Sequence, residues 1–261
     1  MADNHSLRTP DTRRRALVTG GSRGIGRAVV EHLASRDVEV VALARDPEPL
    51  AALAADAAQA GWTVRTTTGD ASDDAEVREL VAAHGPFDLV VANAGVASSS
   101  PLTRTTRADL DHHLAVNAGG VFSLLQATVP VMRERGWGRA VVVASTAGVT
   151  GAPYTSAYTA SKHAAVGLVR AIASEVAGTG VTVNAVCPTF VDTDLTAASV
   201  ARIAETTGRS VDDAREALLA TIPLGRLVTV DEVAAAVAYL CSDLAAPVNG
   251  QTLILDGGGS T

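Results

Sequence analysis

The sequence predicts a doubly wound α/β fold, a seven-stranded parallel sheet covered by helices on both faces, giving three layers in a single domain. Three observations predict it. From Arg15 onward, short apolar runs of β type alternate with longer helical patterns, which indicates βαβ units. A glycine-rich turn follows the first apolar run directly. Hydrophobic residues make up 47% of the chain and aromatics only 3%, so the core must be built from Ala, Val, Leu and Ile, as parallel strands buried on both faces usually are. The length of 261 residues suits one such domain and is short for two.

The elements follow in order. Residues 1 to 14 read as a loose N-terminal tail, polar and without the apolar stretch of a secretory signal. The run Arg13-Arg14-Arg15 reads as a solvated lead-in to the first strand. Strands are expected at Ala16 to Thr19, Val38 to Leu43, Val64 to Thr68, Leu89 to Ala92, Ala140 to Ala144, Val181 to Val186 and Thr252 to Leu255, with helices between them. The alanine-rich stretch Ala51 to Ala60 reads as an amphipathic helix and not as a hinge. Residues 15 to 261 therefore form the domain. Within it, Thr189 to Pro223 breaks the simple alternation with charge on helical spacing between two proline-containing turns. It is expected to be either a lid over a site at the carboxyl ends of the strands or a static pair of capping helices.

Charge and composition exclude several functions. A formal charge of −7 argues against a phosphate-backbone partner, so nucleic acid is not expected. Two cysteines, Cys187 and Cys241, are too few for a disulfide framework and fit a reducing cytoplasm. No apolar run is expected to span a membrane, which takes roughly 18 residues. Six histidines form no spaced ligand cluster, His112 and His113 being adjacent, so no catalytic metal is expected.

The glycine turn is Thr19-Gly20-Gly21-Ser22-Arg23-Gly24-Ile25-Gly26, followed by the helical run Arg27 to Ala34. Glycines between a strand and a helix let the backbone approach a pyrophosphate, and the helix start attracts its charge, so Gly20, Ser22, Gly24, Ile25 and Gly26 are expected at a dinucleotide. The second strand ends at Leu43-Ala44-Arg45-Asp46, where an NAD enzyme usually presents an acid to the ribose. Ala44 cannot do this. Arg45 and Arg23 are placed to hold an extra 2′-phosphate instead, which favours NADPH/NADP+ over NADH/NAD+. Asp46 either binds ribose or caps the next helix.

Lys162 is the sole lysine among 21 basic residues, and it follows Tyr158 by four positions. On a helix that spacing puts both side chains on one face, where an ammonium can lower the pKa of a phenol and ready it for proton transfer. Tyr154 fails the same spacing. It is expected as a wall of the substrate pocket or as ordinary packing.

Taken together these residues resemble the classical short-chain dehydrogenase/reductase family from Ala16 to Gly258. The motifs occur in order: the glycine turn, Asp70, Asn93-Ala94-Gly95, Asn117, Ser145, and the Tyr158/Lys162 pair. The resemblance implies a Rossmann fold and a ketone reduced by hydride from a nicotinamide. Tyr158 would be the general acid, Lys162 would lower its pKa and bind the nicotinamide ribose, and Ser145 would hydrogen-bond the carbonyl oxygen. Asn117 would hold a water linking Lys162 to solvent, or serve only as a packing kink. Asp70 and Ala71 would meet the adenine; Asn93, Ala94 and Gly95 would let the backbone approach the cofactor; Pro188, Thr189, Val191 and Thr193 would line its nicotinamide end. The chain departs from the family pattern at Ala92, where an asparagine is frequent, and at Thr189, where a glycine is frequent.

Within the family the chain looks most similar to 3-oxoacyl and polyketide ketoreductases, although Val96-Ala97-Ser98-Ser99-Ser100-Pro101 lacks the Pro-Gly-Gly motif of aromatic polyketide enzymes. The alternative is a secondary-alcohol or hydroxy-acid dehydrogenase acting on a free small molecule. Val96, Ala147, Tyr154, Phe190 and Leu195 are candidates for an apolar substrate pocket. For a carrier-bound substrate, Arg133, Arg135, Arg139 and Arg170 are candidates, by residue type, to meet phosphates. The family expectation for assembly is a homotetramer built on helix pairs and the strand near Gln251 to Asp256.

Overall fold

The computed structural model describes residues 13–260. The N-terminal tail expected over residues 1 to 14 lies outside them except for Arg13 and Arg14. Those two are anchored to the domain. Arg13 pairs with Asp37 at 2.5 Å, Arg14 pairs with Asp243 at 2.6 Å, and the Arg14 guanidinium lies 4.2 Å over the Trp137 ring.

Seven strands form one sheet in the order β3-β2-β1-β4-β5-β6-β7, and every pairing is parallel. They are β1 (Arg15–Thr19), β2 (Glu39–Ala44), β3 (Val64–Thr68), β4 (Leu89–Ala92), β5 (Gly138–Val143), β6 (Val181–Pro188) and β7 (Thr252–Leu255). The strand order reverses between β1 and β4, so the chain turns to opposite faces on the two sides of that seam. Such a crevice is where doubly wound sheets bind ligands.

Alternation along the strands builds two cores. Ala16 and Val18 point to one face, with α1 (Gly24–Ala34), α2 (Pro47–Gln59) and α9 (Val230–Leu240) over it; Val30, Leu53 and Val237 belong to that cluster. Leu17 points to the other face, covered by α3 (Asp74–His84), α5 (Gly120–Glu134) and α6 (Ser156–Glu175), which contribute Leu80, Leu124 and Val169. A two-residue period in the strands thus meets helix stripes on both sides.

Between β4 and α5 lie α4 (Arg107–Leu114) and a π-helical turn at Ala115–Gly119, so helical backbone runs unbroken from Arg107 to Glu134. This stretch of 28 residues is, by length and hydropathy, apolar enough to cross a membrane, contrary to the sequence expectation that no such run exists; half of its most apolar window is buried in the domain, which accounts for the composition.

The excursion over Thr189 to Pro223 contains α7 (Asp194–Thr207) and α8 (Val211–Leu219). Val200, Ala204, Ala214, Leu218, Ile222 and Leu227 form a third, separate cluster between them. The pair therefore has its own small core.

Candidate active site

The glycine turn leaves β1 at the sheet seam. Gly20 has φ +65°, and a Cβ there would stand 2.9 Å from Asn93 Nδ2; a Cβ at Gly26 would stand 2.0 Å from the Gly20 carbonyl oxygen. Neither position admits a side chain. Asn93 locks the turn from β4: its Nδ2 donates to the carbonyls of Thr19 and Gly20, both at 3.1 Å, while the N–H groups of Asn93 and Ala94 donate to Thr19 Oγ1 at 3.1 Å.

The residues present fit a dinucleotide. No side chain caps the start of α1 and no acid lies in its first turn, a state it shares with α6; Asp46, Asp73, Thr106, Ser210 and Thr229 cap their own helices. The N–H groups at Gly24 and Ile25 are left for an anion. Ser22 is buried beneath the turn and Arg23 is exposed at its edge. Arg45 is exposed immediately beyond β2, and Asp46 accepts from Glu48 N at 3.2 Å, which makes it the cap of α2. Asp70 accepts from the N–H and hydroxyl of Ser72 at 2.8 and 2.7 Å; these bonds, with smaller help from the Arg45 charge, hold its carboxyl below the usual range. Ala71 follows it, half-buried against the second core.

The 188–193 segment closes the seam from the far side. Pro188 ends β6, Thr189 N donates to Leu255 O at 3.0 Å, and Val191 is buried opposite Val228. A Cβ on Gly24 would touch the Thr193 side chain at 3.4 Å, so the base of α7 meets the glycine turn.

Tyr158, Lys162 and Ser145 come together at the carboxyl ends of the strands. Ser145 follows β5, and its Oγ accepts from Ala147 N at 3.1 Å and is hydrogen-bonded with the Tyr158 phenol. Lys162 is buried, donates from Nζ to Val143 O at 3.1 Å, and lies 5.9 Å from the centre of the Tyr158 ring. Burial pushes the lysine down to about 8. The expectation that Lys162 lowers the Tyr158 pKa is not met by the protein alone: burial pushes the phenol up, and the bond with Ser145 only offsets this.

Asn117 sits in the π turn, and its side chain is fully engaged. Nδ2 donates to Val96 O and to Ser161 Oγ, and Oδ1 accepts from Val96 N, all at 2.9 Å. A Cβ on Gly95 would stand 2.9 Å from Asn117 Oδ1 and 3.5 Å from Lys162 Nζ, which explains the glycine.

Of the five residues expected in the substrate pocket, Tyr154 alone lines a cavity of about 270 Å³ also bounded by Ser98, Arg104, Ser156, Ala157 and Arg202, which reaches the residue before Tyr158 but not Tyr158 itself. Tyr154 is 66% exposed, with φ +66°. Val96 is held by Asn117, Ala147 is buried in the turn after Ser145, and Phe190 and Leu195 are partly exposed on the 189–195 segment. The four arginines nominated for phosphates are elsewhere. Arg139 is buried at the start of β5, the end opposite Ser145, and donates to the carbonyls of Ser242, Gly138 and Gly180. Arg133 and Arg135 end α5 near the same edge, Arg135 pairing with Asp88 at 2.9 Å. Arg170 lies eight residues beyond Lys162, about 12 Å along α6. Residue type alone could not reveal which end of the sheet each one reaches.

His113 was missed. It is buried, its Nδ1 is 2.8 Å from Asp109 O and its Nε2 3.2 Å from Ser98 Oγ, and its ring stands edge-on to Tyr158 with centroids 6.3 Å apart. Contact with a backbone carbonyl makes Nδ1 the proton-bearing nitrogen. The available signal was its spacing of four from Asn117, which puts both on one helix face.

Comparison with known proteins agrees with this geometry. Residues 20–260 match a family model described as Enoyl-(Acyl carrier protein) reductase. The chain is 36% identical over 249 residues to Nodulation protein G of Azospirillum brasilense, covering 93% of this chain and 96% of the relative. It is 35% identical over 244 residues to the 3-oxoacyl-[acyl-carrier-protein] reductase FabG of Escherichia coli (strain K12), with the same coverage of each. The crystal structure of a single-substitution variant of actinorhodin polyketide ketoreductase with NADPH superimposes with a TM-score of 0.91 at 35% identity, covering 95% of this chain and 98% of that one. With the ordered Ser145, Tyr158 and Lys162 beside a glycine turn at the sheet seam, the chain belongs to the short-chain dehydrogenase/reductase family.

Proposed function

We propose that the protein is an NADPH-dependent carbonyl reductase whose substrate is the ketone of a 3-oxoacyl thioester or a polyketide-type chain. The observation that carries this reading is the group of half-buried Ser145 and Tyr158 beside buried Lys162, reached from a glycine turn whose helix start is left uncapped. The FabG relative and the NADPH-bearing actinorhodin ketoreductase support the reaction and the cofactor.

Bound NADPH supplies the hydride. Tyr158 donates its phenolic proton to the carbonyl oxygen, giving an alcohol, and the raised pKa keeps that proton in place at neutral pH. Ser145 holds the same oxygen by a hydrogen bond. Lys162 steadies the ribose and stabilises the phenolate left behind. Asn117 fixes the Val96 and Ser161 edge of the site, so any water it binds for reprotonation must meet its main chain, its side chain being taken. Arg23 and Arg45 hold the 2′-phosphate, Gly20 to Gly26 the pyrophosphate, Asp70 and Ala71 the adenine, and Pro188 to Thr193 the nicotinamide end. The α7–α8 pair, with a core of its own, acts as the lid. Exposed Phe122, Tyr239, Leu244 and edge-strand Ile254 support a homotetramer, and the buried free thiols Cys187 and Cys241 suit a cytoplasmic setting.

NADPH oxidation should be compared for an acetoacetyl thioester, an enoyl thioester and a cyclic ketone on one preparation. Preference for the acetoacetyl thioester supports the reading. Preference for the cyclic ketone moves the assignment to an alcohol dehydrogenase of free molecules, and preference for the enoyl thioester to reduction of a carbon–carbon double bond.

A further inference from the structure

Resting on the reading of the chain as a carbonyl reductase, we propose that Arg104 and Arg202 form a site for an oxyanion carried by the substrate, a phosphate or carboxylate joined to the ketone by a linker that runs along the cavity. The cavity of about 270 Å³ begins at Ala157, the residue before Tyr158, and at Ser98, which bonds His113 against the Tyr158 ring. Its wall also holds two guanidinium groups from separate elements, Arg104 on the segment after β4 and Arg202 on α7.

Among the described residues, neither of these guanidinium groups lies within 4.0 Å of a carboxylate, although acids outnumber bases in the chain by 28 to 21. The one acid in the cavity wall, Asp109, has its carboxylate turned to the start of α4, where it accepts from Thr106 N at 2.8 Å and Thr106 Oγ1 at 2.7 Å. Two positive charges and one negative leave the wall with a surplus of one positive charge. The Ser156 hydroxyl adds a donor beside it, whereas Ser98 donates to His113 Nε2 and Ser100 to Pro101 O. Two like charges facing one space repel each other, and an oxyanion between them turns that repulsion into attraction on both sides. Because Arg202 rides on α7, the anion would also draw the lid helix toward the segment bearing Arg104.

The anion has two sources of the same chemistry: the phosphate of a carrier arm, or the carboxylate of a free keto acid. Binding is measured by calorimetry on the full chain saturated with NADP+, using 4′-phosphopantetheine against pantetheine and acetoacetate against acetone. The expected result is that at least one anion binds about tenfold more tightly than its neutral partner, as charge-assisted hydrogen bonds imply. In R104Q/R202Q that preference should fall below about twofold. It should survive in R170Q, which removes a charge elsewhere. Both arginines are exposed, so NADP+ affinity serves as the check that the double variant is folded. The anion that shows the preference identifies the source. Equal binding of both pairs to the unmodified protein, persistence of the preference in R104Q/R202Q, or its loss in R170Q overturns the proposal. The readout needs no turnover, so a protein that reduces no ketone would remove the reductase reading while the anion site stood or fell on its own result.

Discussion

Asn117 holds Val96 by both of its main-chain groups, accepting from its N–H and donating to its carbonyl, each at 2.9 Å, and so ties the π turn of the central helix to the segment after β4. The same amide donates to Ser161 one residue before Lys162. Replacing it by alanine strips partners from three polar groups in or near the core. Asn117→Ala should cost about 2–4 kcal/mol of stability in urea unfolding. A cost below about 1 kcal/mol would mean that water or another side chain repairs the loss.

Lys162→Met should abolish turnover and raise stability at neutral pH. The ammonium is buried, and its pKa in the folded chain, about 8, lies below its ordinary 10.5. The folded state therefore disfavours the charge, a cost fully present below pH 8 and lost as pH rises from 8 to 10.5. Allowing for the lost bond to Val143, methionine should gain about 2 kcal/mol at pH 7, and the gain should shrink toward pH 10.5. Thermal unfolding of both proteins across that range checks it. No gain at pH 7 would contradict the burial cost.

Tyr158→Phe removes the proton and leaves the ring packed against His113. Reduction should fall by about 10²–10⁴-fold while NADPH affinity, read by fluorescence, stays within about twofold. Near-normal turnover would transfer the acid role to another group.

Arg45→Ala should reduce the preference for NADPH over NADH by about tenfold, mostly through the KM for NADPH. The side chain is exposed, so stability should not move. An unchanged preference would leave Arg23 as the residue that reads the phosphate.

Most of the fold was legible because parallel strands announce themselves. The bounds expected for Val64 to Thr68, Leu89 to Ala92 and Thr252 to Leu255 coincide with β3, β4 and β7, each being a compact β-type run flanked by polar or glycine-rich turns. The strand expected at Ala140 to Ala144 lies two residues too late at its start, because Gly138 and Arg139 do not look like core. Gly138 pairs with Val181 and must be glycine because Met132 leaves no room for a Cβ, and Arg139 is admitted because three carbonyls satisfy its guanidinium. The π turn left no mark in the sequence that distinguishes it from α-helix.

The sequence by itself determined the order of βαβ units, the glycine turn and the identities of Ser145, Tyr158 and Lys162, because local periodicity and short motifs encode backbone geometry that neighbours along the chain largely decide. Only the tertiary structure decided which end of the sheet each arginine reaches, that His113 is buried beside Tyr158, and that burial raises the phenol and lowers the lysine. Those properties arise from groups far apart in sequence, such as Arg104 and Arg202 across one cavity, and from the water that the folded chain excludes.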